Sequence, residues 1–181
     1  MNRNKYLILL AAAVVAALAI TYWPKKSEGY NPDTDKALQA AFEASARGEA
    51  LRKLVAETPE AEQRDMAYLI VNMPEHDREA MDLELLKENV TYANIARGKY
   101  AWAKELPEEV YLCDVLPYAV VDEVRDSWRK DMYELFAPAV DTCKTMYDAI
   151  CAVNANIPAL TGVHYNTKRE KTNQSPRESM R

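Results

Sequence analysis

Three cysteines, two histidines and a dense set of carboxylates are the residues of this 181-residue chain that could carry a reaction. A thiol becomes a useful nucleophile when its thiolate is stabilised, commonly at a helix N-terminus beside a histidine. Cys113 follows Val110-Tyr111-Leu112 late in a short predicted helix, and Cys143 and Cys151 fall within a helix on or beside its apolar face. None has the setting of a nucleophile, and all three are expected to be buried structural thiols. On one helix, the eight residues from Cys143 to Cys151 would span about 12 Å, beyond the roughly 7 Å Cα limit for a disulfide. A bridge from Cys113 to either stays open in an oxidising compartment and would leave one thiol odd.

His76 lies beside Met73-Pro74 and His164 in a late apolar patch, with no partner at metal-ligand spacing, so no zinc site is expected. Glu108-Glu109, Asp122-Glu123 and the set Glu57, Glu60 and Glu62 are carboxylate groups that could suggest acid–base work. Neighbouring acids do not share a helix face, however, and dense acidic surfaces are usually just solvated. The residues taken alone therefore nominate no catalytic, cofactor-binding or metal-ligating side chain and no cofactor.

The elements that would position such groups are helical. Only four Gly and few β-branched runs argue against a large sheet, and 49% hydrophobic with 28% charged residues suits one domain with a core. Residues 100–136 hold two of the three Trp and four of the eleven Tyr. Trp102, Tyr111, Tyr118, Trp128, Tyr133 and Phe136 are expected to anchor the core there. Asp33 or Asp35 can cap a helix carrying Leu38, Phe42, Leu51, Leu54 and Val55, with Gly48 weakening its middle. Thr58-Pro59-Glu60 opens the next, with Met66, Leu69, Ile70 and Met73 on one face and Pro74 as its stop. Asp82 can cap a third, striped by Leu83, Leu86 and Val90, with Gly98 as a left-handed C-terminal residue.

Further on, Pro107 with Glu108 and Glu109 opens a short helix that Pro117 closes. Trp128, Met132, Leu135 and Phe136 continue the helical spacing from Arg125, as do Val140, Cys143, Met146, Tyr147, Ile150 and Val153 after Pro138. Six or seven helices are expected, a mainly α, irregular multi-helix array after an N-terminal hydrophobic segment. Only residues 161–165 could extend as a strand.

Residues 6–23 are apolar apart from Thr21 and follow a short basic start. As a helix they would span about 27 Å, just under a bilayer's hydrocarbon thickness. Ala17-Leu18-Ala19 offers a signal-peptide cleavage site, whereas Tyr22-Trp23 followed by Lys25-Lys26 suits a retained anchor, and either reading exports the rest of the chain to the periplasm or cell envelope. If uncleaved, the segment holds the chain to a membrane. No Cys lies near this segment, which excludes lipoprotein processing. Residues 24–35 read as a linker, 36–165 as the helical domain and 166–181 as a basic tail. Of the net charge of −5, Arg3, Lys5, Lys25 and Lys26 contribute +4 and residues 166–181 contribute +3, which leaves −12 on residues 27–165. Such a body repels phosphate backbones, and no nucleic-acid partner is expected.

The order of residues within the aromatic stretch adds a resemblance. Trp102-Ala103-Lys104, Leu106-Pro107-Glu108-Glu109, Val115-Leu116-Pro117-Tyr118 and Ser127-Trp128-Arg129 resemble the helical segment that precedes the core of bacterial transglutaminase-like proteins, papain-type cysteine enzymes. Where that family usually has Arg after Leu-Pro-Tyr, this chain has Ala119. The likeness covers roughly residues 67–181 and resumes at Tyr165-Asn166, Lys168-Arg169 and Gln174-Ser175-Pro176 through Ser179-Met180, which resemble the run-up to the family's catalytic cysteine. It implies a Cys nucleophile a few residues further on, then a His and an Asp, acting by acyl transfer on a protein or peptide amide. On that expectation residues 1–181 are an inert N-terminal portion, and the tail, poorly held by itself, starts a short helix at Ser175-Pro176 leading to the nucleophile. The alternative is a complete, envelope-anchored helical binding or structural module.

Overall fold

A computed structural model of the chain describes residues 29–120, 123–162 and 175–178. The expected export segment at 6–23, His164 and Asp122 lie outside these residues. Among the described residues nine α-helices follow one another: α1 (Lys36–Glu43), α2 (Gly48–Glu57), α3 (Gln63–Asn72), α4 (Glu75–Ala80), α5 (Leu83–Lys99), α6 (Ala101–Lys104), α7 (Glu108–Val110), α8 (Arg129–Val140) and α9 (Met146–Thr161). No strand occurs among the described residues, and no helix there is long and apolar enough to cross a membrane.

Asp35 caps α1 by accepting the Ala37 and Leu38 amides at 3.0 and 3.1 Å, and its other oxygen takes the Tyr30 hydroxyl at 2.7 Å. Tyr30 also packs on the core, so the described part of the expected linker is structured, with a 3-10 turn at Pro32–Thr34. The single helix expected through Gly48 is two, α1 and α2, broken at residues 44–47. Gly48 opens α2 so close to α1 that a Cβ there would lie 2.0 Å from the Phe42 carbonyl oxygen, and the corner therefore requires glycine.

Thr58 does not cap the next helix. Its hydroxyl turns back to the Leu54 carbonyl at 2.8 Å, and the chain passes through Pro59 and a 3-10 turn at Glu60–Glu62 before α3 begins. Asp82 caps α5 through the Glu84 amide, as its sequence position predicts. Gly98 lies inside α5, whose hydrogen bonding runs on to Tyr100, and is no left-handed terminus. That conformation belongs to Gly162, at φ 71, which closes α9. Pro138 lies inside α8 rather than ending it, and the break comes at residues 141–145, where Thr145 caps α9 by accepting the Asp148 amide. Thr161 is therefore helical, and an extension over 161–165 does not begin there.

The core lies mainly N-terminal to the aromatic stretch. Leu38, Leu51, Leu54, Val55, Met66, Ile70, Leu86 and Val90 from α1, α2, α3 and α5 are buried almost completely, each worth about 1.5–3 kcal/mol relative to an exposed position. Of the six expected aromatic anchors only Tyr111 and Tyr118 are buried, whereas Trp102, Trp128, Tyr133 and Phe136 are partly exposed. The aromatic stretch closes over the core instead of nucleating it.

Candidate functional site

Residues 111–118 form a strap across α3 and α5. Its first turn is a π-helix, Tyr111–Val115, closed by the Leu116 amide donating to the Tyr111 carbonyl at 2.8 Å. Two phenols pin it to buried acids: Tyr111 donates to Asp65 at 2.8 Å and Tyr118 to Asp77 at 2.7 Å. Burial, and then the adjacent carboxylate, hold both phenols well above the ordinary tyrosine range, so each stays a neutral donor. Asn94 gives Asp65 a second donor, and Arg125 binds both oxygens of Asp77 at 3.0 and 3.1 Å. Arg97 lies 4.0 Å over the Tyr111 ring and, with Arg64, grips Glu108 at the start of α7.

The far end of the strap is closed by residues 127–129. The Trp128 indole donates to the Tyr118 carbonyl at 2.8 Å. The Arg129 guanidinium donates to the carbonyls of Val115, Leu116 and Pro117 at 2.8, 3.3 and 2.9 Å, and its Nε to Asn89 at 2.6 Å. Asn89 returns a bond to the Leu116 carbonyl at 2.7 Å. Burial pulls Arg129 down to about 10, still charged at neutral pH. Two groups that stand apart in the sequence, Val115-Leu116-Pro117-Tyr118 and Ser127-Trp128-Arg129, are thus one hydrogen-bonded unit.

Residues 175–178 meet the chain beside that unit, at Asp126 and Asp131. Ser175 is fully buried, and its hydroxyl accepts the Glu178 amide at 3.2 Å while Glu178 accepts the Ser175 amide at 3.1 Å, a reciprocal cap with Pro176 in the first turn. The same hydroxyl donates to Asp126 at 3.0 Å, and Arg177 reaches Asp126 at 3.8 Å and Asp131 at 3.1 Å. These four residues are held, contrary to the loose tail expected from composition.

The thiols differ from expectation. Cys113 and Cys151 are exposed, Cys143 is half-buried in the turn between α8 and α9 rather than within a helix, and all three are free. The Cys113 sulfur contacts the Tyr68 hydroxyl at 3.3 Å, and Cys143 donates to the Ala139 carbonyl. His76 is exposed and lies 3.4 Å from Asp77, not beside a thiol. The acids singled out by sequence are dispersed. Glu57 pairs with Lys53 and Lys87, Glu108 with Arg64 and Arg97, and Glu123 accepts the Val120 amide. Among the described residues no group of His, Cys, Asp or Glu is arranged to hold a metal ion.

Sequence reasoning passed over Asp65, Asp77 and Asn89, which are buried and carry the strap. Their signal was positional, because Asp65 precedes buried Leu69 by four residues, Asp77 precedes Met81 by four and Asn89 follows Leu85 by four. Beside the strap, an open cavity of about 240 Å³ is lined by Tyr68, Asn72, Pro74, Pro117 and Tyr118. No family model matches this chain, and no curated protein or solved structure does either.

Proposed function

We propose that this helical body is the N-terminal scaffold of an exported transglutaminase-like protein, itself inert, which seats a papain-type core carrying Cys, His and Asp. In the complete protein the thiolate would attack an amide carbonyl and form a thioester as the amine leaves. Water would then release the acid, or a second amine would form a new amide. The substrate class is a protein or peptide, and export rests on residues 6–23.

The observation that carries the reading is the capped turn at residues 175–178, docked on Asp126. The resemblance expects the run-up to the nucleophile at these residues, and their partner Asp126 adjoins Ser127-Trp128-Arg129, which the strap joins to Val115-Leu116-Pro117-Tyr118. The described thiols take no part in this reading: each lacks a contact with an imidazole among the described residues.

The test is to read the gene beyond the codon for Arg181 and assay the purified product on a glutamine-containing peptide. Expected are a Cys within a few residues, later a His and an Asp, and thiol-dependent amide turnover. Turnover by residues 1–181 alone that disappears on Cys113→Ser, Cys143→Ser or Cys151→Ser would overturn the reading.

A binding or structural module is the second reading, favoured by the uncovered apolar face of α9, where Tyr147 is 75% and Ile150 60% exposed. A coding sequence without the thiol, together with a partner that buries Tyr147 and Ile150, would decide for it.

A further inference from the structure

We propose that Asp126 is a positioning residue, fixing the capped turn at residues 175–178 in place. The proposal rests on the reading above, in which a nucleophile follows that turn. Three contacts make the support rigid. Arg125, on one side of Asp126, is clamped to buried Asp77. Trp128 and Arg129, on the other, are fastened to the strap carbonyls and to Asn89. Asp126 is thereby presented on a short rung with both ends anchored in the core.

What it holds is more than a charge pair. Ser175 spends its hydroxyl hydrogen on Asp126 and accepts the Glu178 amide with the same oxygen, so the carboxylate orients the cap of that turn. Arg177 adds a second point on Asp131, in the first turn of α8, and two points of attachment fix direction as well as place. A buried Ser in a segment with five basic residues and almost nothing apolar has no hydrophobic reason to be there. There its hydroxyl is partnered by Asp126.

A papain-type nucleophile needs its sulfur placed to within a fraction of an ångström of the attacked carbonyl, so a loosened seat lowers turnover rather than substrate binding. The experiment compares Asp126→Ala, Ser175→Ala and Ser175→Thr in the product of the intact gene. The seat predicts kcat about tenfold or more lower for both alanine variants with KM unchanged, near-wild-type kcat for Ser175→Thr, and faster exchange of the Glu178 amide in the alanine variants. Ser175→Ala leaves the helical body untouched and serves where Asp126→Ala fails to fold. Wild-type kcat in both alanine variants of an active enzyme would overturn the proposal and leave the functional reading standing. Absence of thiol-dependent turnover in the unsubstituted product would remove the functional reading and the positioning role with it, although the exchange result would still report the contact.

Discussion

The strap at residues 111–118 and the hairpin formed by α8 and α9 are neighbours built on opposite principles. In the strap, polar groups are buried and partnered: Tyr111 with Asp65, Tyr118 with Asp77, and Arg129 with three carbonyls and Asn89. In the hairpin, apolar groups face outward, since Tyr147 and Ile150 are exposed and only Val140 and Ala149 are buried. Its rim is tied to the C-terminal end of α5 by Lys99 and Tyr100, both bonded to Asp141. Satisfied buried polar groups specify one arrangement, because any other leaves them unpaired at about 1–3 kcal/mol each. An uncovered apolar face specifies nothing until something covers it. The strap is finished structure, and the hairpin is a surface.

The largest expected effect follows from removing the group that closes the strap. Arg129→Met keeps length and apolar stem but leaves the carbonyls of Val115, Leu116 and Pro117 without their charged donor. A loss of about 3 kcal/mol is expected, or roughly 6–12 °C in thermal midpoint, read by urea and thermal unfolding. A loss under about 1 kcal/mol would place the strap in the same class as the hairpin and end the contrast. Tyr118→Phe should cost less, about 1–2 kcal/mol, because Arg125 continues to satisfy Asp77. Unfolding monitored between pH 9 and 12 sharpens this. A phenol held above its ordinary value contributes stability that is full below about pH 10 and is lost as pH rises through the folded value. Tyr118→Phe should therefore lose less on alkaline titration than the parent chain.

The same contrast explains how much could be read from the sequence. Helical class, the Asp35 and Asp82 caps, the α3 stripe and the Ser175 cap follow from local rules, and local rules were sufficient for them. The Gly48 corner was not legible, because the reason for glycine there is the Phe42 carbonyl of another helix. Aromatic content pointed to residues 100–136 as the core. It misled because burial was decided by the aliphatic faces of α1, α2, α3 and α5, with Tyr111 and Tyr118 fitted over them by their hydroxyls. The thiols of Cys113 and Cys151 lie outside for a related reason: α7 with its π-turn and α9 each present one side to open surface, so helical spacing alone could not say which side was inside. Val115-Leu116-Pro117-Tyr118 and Ser127-Trp128-Arg129 stood out in the sequence as separate groups, not as one unit. What joins those groups, the carbonyls bound by Trp128 and Arg129, leaves no trace in residue type.

A smaller effect is expected at the rim of the hairpin. The Lys99 ammonium, and then the Tyr100 hydroxyl, hold the Asp141 carboxyl below the usual carboxylate range. A carboxylate lowered in the folded state contributes stability above its ordinary value near pH 4 and loses it as pH falls through the lowered value. Amide exchange in α8 and α9, corrected for intrinsic rates, should thus accelerate below about pH 4 before the strap amides do, and Lys99→Met should already show the faster rates at pH 6. Simultaneous loss of protection in strap and hairpin would mean one cooperative unit and no division between them.

The smallest effect is the most telling, because it asks whether the hairpin face is a surface at all. A core residue of the size of Ile150 or Tyr147 replaced by Ser would cost several kcal/mol through lost burial and the cavity left behind. Exposed positions lose nothing that was packed, and such changes usually fall within about 0.5 kcal/mol. The 75% and 60% exposure of Tyr147 and Ile150 therefore predicts that Tyr147→Ser with Ile150→Ser leaves the urea midpoint almost unmoved in residues 1–181. A cost near 2 kcal/mol would mean that α9 is covered by another part of the chain. A neutral result would leave Tyr147 and Ile150 as surface, available to whatever packs against α9.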